Sequence, residues 1–271
     1  MKLKRLRDHV ERFSRQLGRR VDIGQQSFRV RGYLSNILEL NSGNEPEVEA
    51  AIARVLDRPG TFIDVGANVG QTLGKVLAVD PERSYLGFEP QIGACHYIDR
   101  FIKDNSLRNA LVLPLGLSES GGLRSFWSSG EADTMASLIH DGSDKSRSVI
   151  MTQTGDDVLS ELEIDEVAAI KIDVEGSECA VLRGFQRTLS TLGPPIIFEV
   201  LPNIAEDGFS DLSVEVAKAN SDRAAELHSY LSGLGYRIYA LVASGKDSEV
   251  LSFELDDPAR LSGPNFVARK G

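Results

Sequence analysis

Residues 62–70, Phe62-Ile63-Asp64-Val65-Gly66-Ala67-Asn68-Val69-Gly70, read as an apolar strand that runs straight into a glycine turn and then a helix. Open α/β sheets bind ligands outside the carboxyl ends of their parallel strands, and this turn is such an end. Gly66 lets the backbone approach a ligand closely, and Gly70 permits tight packing of helix on strand. Working outward, strand-like runs at residues 61–65, 84–88, 110–113, 167–173 and 195–200 alternate with helical patterns that begin near Val69, Gly93 and Ser177. This alternation predicts a doubly wound, mostly parallel α/β sheet of at least five strands, with helices on both faces. Upstream, Pro46, early acidic residues and an apolar side of Val48, Ala51, Ile52, Val55 and Leu56 predict a helix that stops at Pro59-Gly60. Downstream, a helix over 221–234, a strand over 236–242 and a last strand over 265–269 predict an antiparallel pair at the sheet edge, with 249–255 as a candidate extra strand.

The chain divides at about residue 44, an N-terminal helix and cap over 1–44 preceding the α/β domain over 45–271. Leu3, Leu6, Val10, Phe13 and Leu17 recur at steps of three and four among basic residues, predicting an amphipathic helix for packing on the domain, homodimerisation or surface docking. Short apolar alternations after Val21 predict one or two strands in the cap. The whole chain has 271 residues and a formal net charge of -10, which argues against nucleic acid as a partner. Cys95 and Cys179 are the two cysteines and have no metal-ligand spacing. With no apolar run of transmembrane or signal length, the expected location is cytoplasmic.

Dinucleotide folds place a glycine where Asn68 stands, because a pyrophosphate rests directly on the backbone at the helix start. Asp64 adds a carboxylate that repels a pyrophosphate but suits the ammonium or sulfonium charge of S-adenosylmethionine. Glu89-Pro90 follows the second strand, 19 residues after Gly70, where an acid can accept both ribose hydroxyls of an adenosyl group. Asp64, Gly66, Ala67, Asn68, Gly70, Glu89 and Pro90 are therefore the candidate cofactor-binding residues.

The fourth strand, Ile170-Lys171-Ile172-Asp173-Val174-Glu175-Gly176, ends in two carboxylates at the ligand edge. Methyl transfer to an alcohol needs a group to take its proton and an in-line approach. Asp173 is the first choice as acceptor-orienting group or base, and it also borders the cofactor. Glu175 and Glu199 are further catalytic candidates, and the three carboxylates are candidate ligands for Mg2+. Glu175 and Glu178 can alternatively serve only the helix N-terminus. Lys171 reads as a strand residue with a buried stem and a paired ammonium. The Ser-, Gly- and Asp-rich residues 118–148 form the least regular stretch, a candidate lid or acceptor loop carrying His140 as an alternative base and Phe126 and Trp127 as pocket or core aromatics.

These segments resemble the FkbM family of S-adenosylmethionine methyltransferases. Residues 63–70, Glu89-Pro90, Gly116-Leu117-Ser118, residues 170–178, Val181-Leu182-Arg183-Gly184 and Ile197-Phe198-Glu199 carry the resemblance, which covers roughly residues 45–201. It implies a class I methyltransferase fold, a seven-stranded Rossmann-like sheet with an antiparallel C-terminal edge strand. It also implies Gly116 and Leu117 at the cofactor and O-methylation of a small-molecule or glycan acceptor such as a sugar, glycolipid or secondary metabolite. Two other readings of the glycine turn are an NAD(P)-dependent oxidoreductase, opposed by Asn68 and the strand-four carboxylates, and an inactive adenosyl-binding interaction protein, opposed by Asp173 and Glu175.

Overall fold

A computed structural model describes residues 18–31, 45–129, 136–139, 145–200, 214–242, 247–251 and 265–271. The amphipathic pattern of residues 1–17 and His140 lie outside these described residues. The central parallel strands are β3 (Thr61–Val65), β4 (Tyr85–Phe88), β5 (Ala110–Leu113), β9 (Val167–Ile172) and β10 (Ile196–Glu199). They lie side by side in the order β5, β4, β3, β9, β10. Between them run α2 (Gln71–Val79), α3 (Ile92–Asp104), α4 (Gly155–Glu161) and the short pair α5 (Glu178–Gly184) and α6 (Gln186–Thr191), while α1 (Pro46–Val55) precedes β3. The single helix expected near 177–190 is thus two, meeting at Phe185.

The register decides where chemistry can sit. Val65 is level with Phe88 on β4 and with Ile172 on β9, and Ile172 is level with Phe198 on β10. The next residues, Gly66, Glu89, Asp173 and Glu199, therefore emerge together along one sheet edge. Below them the strands are apolar on both faces, as a sheet covered by helices on both sides requires. Ile63, Ile170 and Ile196 are fully buried in one layer, and Phe62, Ala169 and Ile197 in the other. Each buried Ile or Phe contributes about 1.5–3 kcal/mol relative to exposure. Lys171 interrupts this apolar lattice and marks the end that serves function.

Beyond β10 the sheet departs from the expected layout. The described residues give eight strands in this sheet, with β11 (Tyr236–Ala240), β12 (Ser248–Val250) and β13 (Asn265–Lys270) completing it. The last strand is not at the edge: β13 lies antiparallel between β10 and β11, and the three-residue β12 is the edge. Phe266 and Val267 on β13 are buried in opposite layers, which an edge strand with one open side would satisfy poorly. The helix before β11, α7 (Val214–Gly233), starts earlier than the apolar pattern indicated.

Two additions cover this frame. An antiparallel hairpin, β1 (Arg19–Ile23) and β2 (Gln26–Val30), buries Val21, Ile23, Phe28 and Val30 in the layer that holds α1, α2 and α3. The stretch read as irregular contains a second sheet: β6 (Gly116–Leu117) pairs with β8 (Ser146–Gln153), which pairs with β7 (Gly122–Ser128). Alternation explains it, since Phe126 and Ile150 are buried while Leu123, Val149 and Met151 face out. Among the described residues, no helix is long and apolar enough to cross a membrane.

Candidate active site

A cavity of about 550 Å3 opens over the aligned strand ends. Gly66, Ala67 and Asn68 form its floor at β3, Glu89 and Pro90 its wall at β4, and Asp173, Glu175 and Glu199 its wall at β9 and β10. Gly116, Leu117, Phe126 and Ile150 of the small sheet roof it.

The turn is built by backbone constraint. Gly66 has φ 86° and Asn68 φ 45°, both in the left-handed region. A Cβ on Gly66 would lie 1.9 Å from the carbonyl oxygen of Asp173, so only glycine lets β3 and β9 end this close together. Gly70, with φ 93°, starts α2 and does not line the cavity.

Glu89 is almost wholly buried and organises the turn. One carboxylate oxygen accepts the Asn68 amide at 2.9 Å and the other the Gln91 amide at 2.7 Å. Burial pushes its pKa up to about 7 against the pull of those two amides. The Asn68 side-chain oxygen is buried and has no hydrogen-bond partner among the described residues.

Asp64 is also buried, yet it does not line the cavity. It shares a strand face with Phe62, turned toward the α1–α2 layer, and the Tyr85 hydroxyl donates to its Oδ2. Burial raises its pKa, and Lys171 and the Tyr85 hydroxyl work against that rise. Asp64 thus bears electrostatically on Lys171, which does line the cavity.

Lys171 Nζ lies 2.8 Å from Asp173 Oδ2 and lines the cavity. Burial disfavours its charge, but Asp173, Asp64 and Glu45 outweigh burial and raise its pKa overall. Its ammonium is thus a fixed charge that holds Asp173 in place.

Glu175 occupies a left-handed backbone position, φ 54°, and its carbonyl accepts the Ser137 hydroxyl at 2.8 Å. Ser137 is in turn tied to Trp127 by a pair of backbone hydrogen bonds, so the small sheet is latched to the reactive edge. Burial, then Asp173, Glu199 and Glu178, raise the Glu175 carboxyl to about 8, with Lys145 opposing. Glu199 is raised to about 7 by burial and Asp173, with Lys171 opposing. Glu178, raised to about 7 by burial, accepts the Gly176 amide at 3.0 Å and serves the turn rather than the cavity. Although Asp173, Glu175 and Glu199 share one wall, no group of three His, Cys, Asp or Glu among the described residues is arranged to hold a metal ion.

The cavity also draws on residues the sequence did not single out. Glu45 precedes α1, Gln71 and Thr72 open α2, Ser137 is bridged to Trp127 on β7, and Ile150 lies on β8. Gln71 and Thr72 directly follow the glycine turn, whereas distance in the chain hides Glu45, Ser137 and Ile150.

This acidic edge has a stability consequence. A carboxyl raised in the folded state contributes stability that is complete below its unfolded pKa and lost as pH climbs through the folded one. Glu89, Glu175, Glu178 and Glu199 rise from 4.5 to about 7 or 8. The ligand-free protein is expected to lose thermal stability between about pH 5 and about pH 8 at fixed ionic strength. A Tm that climbs steadily across that window would contradict the raised carboxyls that burial produces here.

Comparison with known proteins places these features together. A sequence profile of the methyltransferase FkbM domain matches residues 64–238. The hexuronic acid methyltransferase AglP of Haloferax volcanii is 27% identical over 186 residues, which cover 66% of this chain and 74% of AglP. Methyltransferase FkbM from Methylobacillus flagellatus KT aligns over 86% of this chain with 16% identity and a TM-score of 0.47, and the chain spans 53% of that protein. The SAH-bound methyltransferase PaMTH1 of Podospora anserina gives a TM-score of 0.48 and 7% identity over 98% of this chain and 96% of that one. The profile match begins at Asp64, takes in the glycine turn and the acidic strand tips at Glu89, Asp173 and Glu199, and covers well over half of the sequence: the chain belongs to the FkbM family of methyltransferases.

Proposed function

We propose that this methyltransferase uses S-adenosylmethionine to methylate a hydroxyl of a sugar, glycolipid or secondary-metabolite acceptor. The observation that carries the reading is the single cavity that joins the Gly66–Asn68 turn, the Glu89 tip and the Asp173–Glu175 edge. Its first half fits an adenosyl group. Glu89 keeps carboxylate lone pairs for ribose hydroxyls, and the unpartnered Asn68 oxygen offers an acceptor to a donor hydrogen. The name of AglP supports a sugar acceptor.

Bound there, S-adenosylmethionine supplies an electrophilic methyl group. The chain supplies position and a proton sink. Lys171 occupies one oxygen of Asp173, leaving the other to orient the acceptor hydroxyl. Glu175, its carboxyl raised to about 8, would take the proton that the acceptor hydroxyl gives up when it is methylated.

Calorimetry with S-adenosylhomocysteine tests the reading. Wild-type protein is expected to bind, and Glu89→Gln to bind about tenfold more weakly through loss of charge-assisted hydrogen bonds. Absence of binding heat in a folded wild type would overturn the proposal.

A further inference from the structure

The acceptor end of the cavity has an unusual charge inventory. Its wall carries Glu45, Asp173, Glu175 and Glu199. Two of these are neutralised within the protein: Glu45 by Lys75 at 2.6 Å and Asp173 by Lys171 at 2.8 Å. Lys145 bears on Glu175. Glu199 has no ion-pair or hydrogen-bond partner for its carboxylate among the described residues, although it is only partly exposed. A half-buried carboxylate without a partner is costly, and a cationic ligand group is what removes that cost.

Position separates Glu199 from the donor. From β4, which carries Glu89, the sheet runs through β3 and β9 to β10, which carries Glu199. Three strand spacings of about 4.8 Å put the two acids about 14 Å apart along the edge. A donor anchored at Glu89 with its methyl at Asp173 leaves Glu199 on the acceptor's side.

Building on the methyltransferase reading above, we infer that the acceptor carries a protonated amine close to its reacting hydroxyl, as in an amino sugar, and that the Glu199 carboxylate receives it. The elevated carboxyl of Glu199 agrees with this, since an ammonium beside it restores the ionised form. The same wall disfavours a carboxylate-bearing acceptor, so the chain departs here from the hexuronic acid in the name of AglP. Glu199 is then a specificity-determining residue, separate from the proton-accepting role of Glu175.

The test uses three probes of matched size, the methyl glycosides of glucosamine, glucose and glucuronic acid, titrated at low ionic strength into full-length protein saturated with S-adenosylhomocysteine. The glucosaminide is expected to bind at least about tenfold more tightly than the glucuronide, with the neutral glucoside between. Glu199→Gln is expected to erase that preference while the affinity for S-adenosylhomocysteine stays unchanged, which also shows that the variant is folded. Equal responses to the three probes, no response to any of them, or a preference for the glucuronide would each overturn the inference while leaving the methyltransferase reading standing. Loss of S-adenosylhomocysteine binding in wild type would instead overturn that reading and the inference with it.

Discussion

Gly66→Ala is expected to lower stability by about 2–5 kcal/mol and to abolish binding of S-adenosylhomocysteine. Two costs add at this position. A left-handed φ of 86° disfavours any residue with a Cβ, and the new methyl would meet the Asp173 carbonyl oxygen at 1.9 Å. Relief requires β3 and β9 to part at their tips, which moves the turn, Asp173 and Lys171 together. Chemical denaturation and calorimetry on the same preparation check both parts. Stability within about 0.5 kcal/mol of wild type would show that the strand ends relax easily, and the account of the turn would fail.

Glu175→Gln is expected to reduce the rate of methyl transfer by about 10²- to 10⁴-fold, the usual contribution of a positioned general base. Glutamine keeps the shape and the Ser137 contact, which is made to the backbone carbonyl and not to the side chain. Affinity for S-adenosylhomocysteine is therefore expected to hold within about threefold, separating proton transfer from donor binding. The base acts when ionised, so the wild-type kcat/KM is expected to rise with pH through a midpoint at about 8 and level off above it, and the variant to lose that limb. A variant with a wild-type rate and an unchanged profile would remove Glu175 from the proton path and return the role to Asp173.

Much of this site was legible because buried parallel strands end abruptly in polar residues. Val65-Gly66, Phe88-Glu89 and Ile172-Asp173 each mark such an end, and the spacing between the first two follows from the single helix of their crossover. Asp64 was harder to place. Its proximity to the turn is local information, whereas the face it presents depends on how β3 packs between α2 and the opposite layer. Lys171 announced itself as a charge in an apolar strand, and its pairing to Asp173 follows from both side chains lying on one face, two residues apart. The pairing of β7 and β8 was obscured because Ser and Gly are frequent in residues 118–148 and few apolar side chains of the two strands, Phe126 and Ile150 among them, turn inward. Pairing across more than 20 residues, as between Arg124 and Ile150, leaves little trace in local pattern. Glu45 and Ser137 entered the site by tertiary contact alone.

The placement of β13 sets an order of events during synthesis. β11 and its partner β12 emerge from the ribosome before β13, but they join the rest of the sheet only when β13 arrives between β11 and β10. Until then β10 exposes an unpaired edge, and Phe198 lacks the stacked ring of Phe266 that covers it in the finished protein. A nascent chain in this interval presents an apolar, open-sided sheet, the kind of surface that invites wrong pairing. Closure by a strand that follows β11 and β12 in the chain therefore couples completion of the core to the synthesis of residues 265–270, and makes this interval the one in which a chaperone would matter most.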